Sequence, residues 1–316
     1  MKSEISVIIP TYNRLEILKK CLKTIKDNSF TKSYEVIIVN DGSSDGTFIE
    51  ISNFIKENKF ENFYIFDQKN GGPAKARNLG IKKSQSDILL FVGDDSIFDK
   101  NLLEEHYVWN IERYPQENVA VLGHNEWSKE IEITPFMNWI DNVGLQFSYG
   151  EFVDENSPSW RNLWTCNISF KKNFLMKYGM FDEEFPYAAW EDVELGWRLF
   201  KHGLKIKYNK NAIAYHYHPT SFESVKRRMV YHGYSQMILA KKIGKEYSNK
   251  FFKQPIKTII NIFDAVITYS GILFLLDKSA TFFEKRKIIS AIFYPVLYHY
   301  KLKGNKNYEK TQNRHR

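Results

Sequence analysis

Four apolar runs of strand length, separated by segments whose apolar residues recur every three or four positions, restrict this chain more than any other feature. The runs are Ile5 to Ile9, Val36 to Val39, Phe63 to Phe66 and Ile88 to Val92. Between the first two lies RLEILKKCLKTIKDN, in which Leu15, Leu18, Leu22 and Ile25 form one apolar stripe while the lysines stay in water. TFIEISNFIKE, after the turn DGSSDG, and PAKARNLGIKKS, whose Pro73 suits a first helical turn, fill the next two intervals. Strand, helix, strand, helix in that order predicts an α/β fold with a mostly parallel central sheet flanked by crossover helices.

Sheets of this kind bind ligands beyond the carboxyl ends of their strands. Here those ends read PTYNR, NDGSSDG, QKNGGPAKARN and GDDS, so polar groups and glycines gather along one edge and predict one site. Pro10, Thr11, Tyr12 and Asn13 suit a base or ribose, and Asp41 suits a uracil N3–H; each loop taken singly reads more readily as a mere chain reversal. Gly71 and Gly72 allow close backbone approach, with Lys75 and Arg77 adding charge or facing solvent. Asp94 and Asp95 have two readings. They are a turn or helix cap, or hard oxygen ligands for a divalent cation that bridges to a diphosphate.

From about Val119 the pattern loosens and aromatics accumulate, as in a pocket built from loops and short strands. A helix returns in WEDVELGWRLFKHG, with Val193, Trp197 and Phe200 on one face and Glu194 with Arg198 on another. KIKYNKNAIAYHYHP then alternates as a strand and puts His216 and His218 on one side.

SVIIPTYNR, VIIVNDGSSDGT, NGGPAKARNLGI, LLFVGDDS and WEDVELGWRLFKHG, in this order over roughly Ile5 to Pro219, resemble the family 2 glycosyltransferases with the GT-A nucleotide-sugar-binding fold. The resemblance implies inverting transfer of a sugar from a nucleotide diphosphate donor, a UDP-sugar first among the candidates, to a hydroxyl of a glycan, a lipid-linked sugar or a protein. By position it implies that Pro10, Thr11, Tyr12, Asn13, Asp41, Gly72, Arg77, Asp94 and Asp95 hold the donor. Mn²⁺ or Mg²⁺ would sit on Asp95 and His216, with His218 as the alternative ligand. Gly93 stands where many members carry the first aspartate, which puts metal affinity in question. Asp192 would be the base, kept ionised by the helix dipole, with Glu191 orienting the acceptor and Trp190 and Trp164 offering it flat apolar surfaces. Absent a catalytic role, Glu191 and Asp192 would simply favour a helix N-terminus.

The chain has 316 residues and 43% hydrophobic composition, enough for a large core, and a formal charge of +8 that favours anionic partners. Cys21 and Cys166 are far apart and form no disulfide or thiolate-metal pattern, which predicts a reducing compartment. The N-terminal apolar run is too short for a signal peptide, and Ile259 to Leu276, interrupted by Asn261 and Asp264, reads as a buried or interfacial helix. The expectation is a cytoplasmic protein of two parts: a catalytic domain over 1–220, and a helical, aromatic, basic region over 221–316 for acceptor, oligomer or membrane-surface contacts. Lys278, Lys285, Arg286, Lys287, Lys301, Lys303, Lys306, Lys310, Arg314 and Arg316 suit peripheral contact with an anionic membrane face, or form a solvated face. Two other functions compete. A nucleotidyltransferase needs a glycine-rich phosphate loop that PTYNR does not supply. A nucleic-acid-binding protein matches the charge, but no zinc finger, RNA-recognition signature or concentrated basic helix is present, so no nucleic-acid partner is expected.

Overall fold

β1 (Ile5–Thr11) lies inside an eight-stranded sheet, and both of its faces are covered. In this computed structural model, which describes residues 2–251, 272–284 and 293–314, the sheet order is β3 (Phe63–Asp67), β2 (Tyr34–Asn40), β1, β4 (Ile88–Val92), β7 (Asn167–Lys171), β6 (Val119–Trp127), β8 (Lys205–His216) and β5 (Ser96–Phe98). The first four are mutually parallel. β7 then runs antiparallel to β4 and to β6; β6 pairs parallel with β8, and β8 antiparallel with β5. The mixed sheet with flanking helices is the α/β arrangement expected from the alternating pattern.

The period-2 alternation of β1 sorts its side chains between two layers. Ile5, Val7 and Ile9 pack with Leu18, Leu22 and Ile25 of α1 (Leu15–Lys26) and with Ile51 of α2 (Thr47–Glu57). Ile8 points the other way, toward α3 (Pro73–Lys83), where Gly80 comes so close that a Cβ would stand 2.5 Å from Ile8 Cγ2. Ile37, Val39 and Ala76 continue that second layer. The three helices fall where the apolar spacing predicts them, and Pro73 opens α3 at a position whose N–H needs no partner.

The helix α7 (Glu191–Phe200) is present, but its apolar face differs from the expected one. Val193, Leu195, Gly196 and Leu199 are buried and Phe200 is 52% exposed. Gly196 explains this: a Cβ there would lie 2.2 Å from the Trp160 carbonyl, so the helix is pressed against backbone on that side. Glu194 and Arg198, expected to pair on another face, do so as a partly buried fixture. Arg198 contacts Glu194 at 3.0 Å and also donates to the carbonyls of Tyr178 and Met180.

Packing divides the chain into Met1–Ile131, Tyr149–Pro186 and Glu191–His218 as one unit, and Glu132–Ser148, Tyr187–Trp190 and Pro219–Arg316 as the other. This differs from a single cut after residue 220 because two short internal segments pack with the C-terminal helices. Within the second unit, α5 (Pro135–Asn142), α8 (Phe222–Phe251) and α10 (Phe293–Arg314) meet through the rings of Phe136, Phe222 and Phe293, whose centroids lie 4.9 to 5.5 Å apart. Gly233 and Gly304 let α8 and α10 cross closely, since a Cβ on either would stand 2.0 Å from a carbonyl of the other helix. Most of the stretch Ile259 to Leu276, and Lys285, Arg286, Lys287 and Arg316, lie outside the described residues. Among the described residues no helix is long and apolar enough to cross a membrane.

Gly80→Ala is expected to destabilise the first unit by about 1–3 kcal/mol through overpacking against Ile8, measured by urea denaturation.

Candidate active site

Parallel pairing of β1 with β4 builds the centre of the site. Ile8 lies opposite Phe91, and continuing that register past the strand ends brings Thr11 level with Asp94. The Thr11 hydroxyl donates to Asp94 Oδ2 at 2.8 Å. Arg14, next in the same loop, places one guanidinium nitrogen 3.0 Å from Asp94 Oδ1 and 2.6 Å from Asp95 Oδ2. Both carboxylates are buried beyond a fully buried strand, so a neutralising partner is required. Burial pushes the Asp94 carboxyl up, against the pull of Arg14. Burial also works on Asp95, but the imidazole of His216 and the guanidinium of Arg14 outweigh it and hold Asp95 below the usual carboxylate range. Asp95 is therefore the more readily ionised member, and Asp94, with both oxygens engaged, positions Thr11 and Arg14.

His216 ends β8 and pairs across the ladder with Ser96, the residue after Asp95; its Nε2 stands 3.5 Å from Asp95 Oδ2. The ring lies edge-on against Trp127 at 5.3 Å, with the His218 ring 6.2 Å away. Two donors at this separation fit one cation with bonds of ~2.1 Å, and a small divalent ion completes its shell with water and phosphate oxygens. Among the described residues no group of three or more His, Cys, Asp or Glu side chains forms a cage by itself. Gly93 has a steric consequence too, since a Cβ there would lie 2.7 Å from Asp95 Oδ1.

The neighbouring loops are held by backbone contacts. Asp41 accepts from Gln68 Nε2 at 2.7 Å and from the N–H groups of Gly71 and Gly72 at 2.9 Å each, so its carboxylate braces the NGG turn and has few lone pairs left for a base. Gly72 has φ +88° and sits under the Pro186 carbonyl, which a Cβ would approach to 3.1 Å. Asn13, at φ +54°, accepts from the Ser44 N–H and donates its own N–H to Ser43, tying the first loop to the second. Tyr12 is half exposed at the rim.

Glu191 and Asp192 open α7 but meet different surroundings. Glu191 is buried and pairs with Arg77 at 2.8 Å; the Arg77 guanidinium is itself buried over the Phe181 ring. Arg77, expected beside the donor, is thus the partner of Glu191. Asp192 retains some solvent contact, and the Val193 N–H donates to it at 2.8 Å. Burial, then the adjacent Glu191, raises the Asp192 carboxyl to about 7, against the pull of Arg77 and the N–H groups of Val193 and Thr165. The expectation that the helix dipole keeps it ionised is corrected: a dipole contributes roughly 0.3–1 kcal/mol, and burial prevails here.

One residue joins the two carboxylate centres. Asn167 pairs with Val92 across the antiparallel β4–β7 ladder, so Thr165 and Cys166, just before β7, stand beside the GDDS turn. Burial pushes the Cys166 thiol up to about 12, and both Asp192 and Asp95 add to the rise. Asp192 and Asp95, from elements far apart in sequence, thus both lie within electrostatic reach of Cys166. Trp164 packs in an aromatic group, stacked on Phe152 at 5.9 Å and edge-on to Tyr149 at 5.2 Å. Trp190, which belongs to the second unit, has φ +71° and donates its indole N–H to the His232 carbonyl. Arg14, Thr165 and Cys166 were missed at the sequence level. Arg14 left a signal as the basic residue closing PTYNR, whereas nothing in the sequence marks Thr165 or Cys166.

A sheet of this order with acidic residues on its edge is of the GT-A glycosyltransferase type, and the comparisons agree. Residues 6–120 match the sequence profile described as glycosyl transferase family 2. It is 29% identical over 253 residues to hyaluronan synthase of Pasteurella multocida, an alignment covering 70% of this chain and 25% of that protein. It is 26% identical over 262 residues to the uncharacterized glycosyltransferase YfnE of Bacillus subtilis, covering 70% of this chain and 66% of YfnE. Both alignments leave a third or more of the relative unmatched. Mannosyltransferase PcManGT from Pyrobaculum calidifontis, solved with GDP-Man and Mn²⁺, superposes with a TM-score of 0.66 at 14% identity over 98% of this chain and 87% of that one. TarS 1–349 of S. aureus, solved with UDP, gives 0.57 at 19% identity over 99% and 92%. At these identities the structural likeness is one of fold.

Arg77→Met is expected to cost about 3–5 kcal/mol in urea denaturation, because it leaves the buried Glu191 charge without its partner.

Proposed function

We propose that this chain is an inverting glycosyltransferase that moves a sugar from a uridine diphosphate donor to a hydroxyl of a glycan, a lipid-linked sugar or a protein. The observation that carries the reading is a pair of acidic centres within electrostatic reach of Cys166: Asp95, held below the usual carboxylate range beside the His216 imidazole, and Asp192, raised to about 7. Diphosphate departure requires stabilised negative charge, and alcohol attack requires a proton acceptor on the opposite side of the reacting carbon. The two centres supply these separately. Uridine is the base favoured by the UDP held in the TarS complex.

Asp95 and His216 would hold Mn²⁺ or Mg²⁺, as the Mn²⁺ in the PcManGT complex suggests. When bound, the ion neutralises the developing charge of the leaving diphosphate. Asp94 and Thr11 orient Asp95 and line the donor side, with Asn13, Tyr12, Pro10 and the Gly72 turn around them. Asp192 takes the acceptor proton as the acceptor oxygen bonds to the anomeric carbon and the bond from that carbon to the diphosphate oxygen breaks. Glu191, anchored through one oxygen by Arg77, has Oε2 without a hydrogen-bond partner among the described residues, and this atom is suited to receive an acceptor hydroxyl. Trp164 remains the proposed apolar platform for the acceptor.

Contact with the cytoplasmic face of a membrane belongs to the same proposal. In α9 (Ile272–Phe283) Phe274, Leu275 and Phe282 are exposed, with Lys278 among them, a combination suited to an anionic lipid surface. A homo-oligomer built through these helices is the alternative use of that surface.

Asp192→Asn should lower the rate of sugar transfer by roughly 10²- to 10⁴-fold while UDP still binds. In the wild type the rate should fall as pH drops through about 7, because protonation of Asp192 removes the base; a transfer assay from about 1.5 pH units below that value to about 1.5 above it reads this directly. Saturating UDP with Mn²⁺ should raise the melting temperature by about 5 °C, and Asp95→Ala should abolish the shift. Undiminished transfer by Asp192→Asn would remove the base assignment.

A further inference from the structure

Arg14 Nη1 stands 3.0 Å from Asp94 Oδ1 and 2.6 Å from Asp95 Oδ2, and His216 Nε2 faces that same Asp95 oxygen at 3.5 Å. The oxygen best placed to ligate a cation is thus already in contact with one. The geometry points to Arg14 as an internal cation that competes with the divalent ion for Asp95 Oδ2, so that metal loading requires the guanidinium to leave Asp95. This inference rests on the metal-assisted reading proposed above.

Several observations support displacement. Arg14 cannot lose its charge in the protein, so the competition ends only by movement. Its side chain is 35% exposed, and at the head of α1 it makes no side-chain capping bond, so it can swing toward solvent without unravelling the helix. Asp94 cannot substitute while Thr11 and Arg14 occupy its two oxygens. With Gly93 carrying no carboxylate, two aspartates share one fixed positive charge, and the attraction left for a free dication is weak. Once displaced, a guanidinium is well shaped to meet diphosphate oxygens, which couples metal entry to arrival of the donor.

The test is Mn²⁺ binding to the full chain, without nucleotide or sugar, read from the electron paramagnetic resonance signal of free Mn²⁺. Arg14→Gln should bind Mn²⁺ on the order of tenfold more tightly than wild type, and Arg14→Lys, which keeps the charge, should stay near wild type. A second measurement needs no variant. Phenylglyoxal labelling of Arg14 in the wild-type chain, followed by peptide mass analysis, should accelerate when Mn²⁺ is added. Equal or weaker Mn²⁺ binding by a folded Arg14→Gln, or labelling of Arg14 that Mn²⁺ leaves unchanged or slows, overturns the inference. Absence of Mn²⁺ binding in every variant overturns it too, yet sugar transfer persisting in a chelator would leave the transferase reading standing. Conversely, confirmed competition with no transfer to any acceptor would sink only that reading.

Discussion

Two carboxylates at the end of a fully buried strand need a positive charge close by, and parallel pairing of β1 with β4 delivers it. An unpaired pair of buried anions would cost several kcal/mol or would take up a proton. Because the strands run side by side in one direction, the residues following β1 and those following β4 emerge together. Thr11 and Arg14 therefore meet Asp94 and Asp95 without any long-range search. The remaining geometry depends on that contact. Asp95 is turned toward the end of β8, where His216 faces it, and Asp94 is held back as a support.

The acidic pair at the head of α7 shows the same chemistry resolved differently. Glu191 and Asp192 are neighbours, yet Arg77 takes one and leaves the other. The anchored Glu191 then acts on Asp192 as a fixed negative charge and, with burial, raises its affinity for a proton. Two carboxyl groups in one dipeptide are thereby given separate chemistry by their surroundings, which suits one for orientation and the other for proton transfer. In each pair an arginine lies against at least one of the carboxylates.

Much of the first half of the fold was legible in residue order. The stripe Leu15, Leu18, Leu22 and Ile25 marks α1, Pro73 marks the start of α3, and the four apolar runs mark parallel strands, because these elements are specified by local periodicity. The positions and pairings of β5, β6 and β7 were not anticipated, since they join residues far apart and the stretch holding β6 and β7, though expected to carry short strands, is rich in aromatics with no simple alternation. The face of α7 was misjudged for a related reason. Gly196, neutral in any hydrophobic pattern, presses the helix against the Trp160 carbonyl, and Phe200 is left outside.

The sequence by itself determined that acidic and glycine-rich turns would share one sheet edge, because the order of strands and helices dictates where parallel strands end. Tertiary structure alone decided what each side chain does there. Asp41 braces a turn, Arg77 neutralises Glu191, and Arg14 neutralises the aspartates, although all were plain polar letters in the chain. Charge state is set by burial and by neighbours within a few ångströms, and those neighbours come from strands and helices separated by scores of residues. Proximity of that kind exists only once the sheet has formed and brought Asp95 and Asp192 within electrostatic reach of one residue, Cys166.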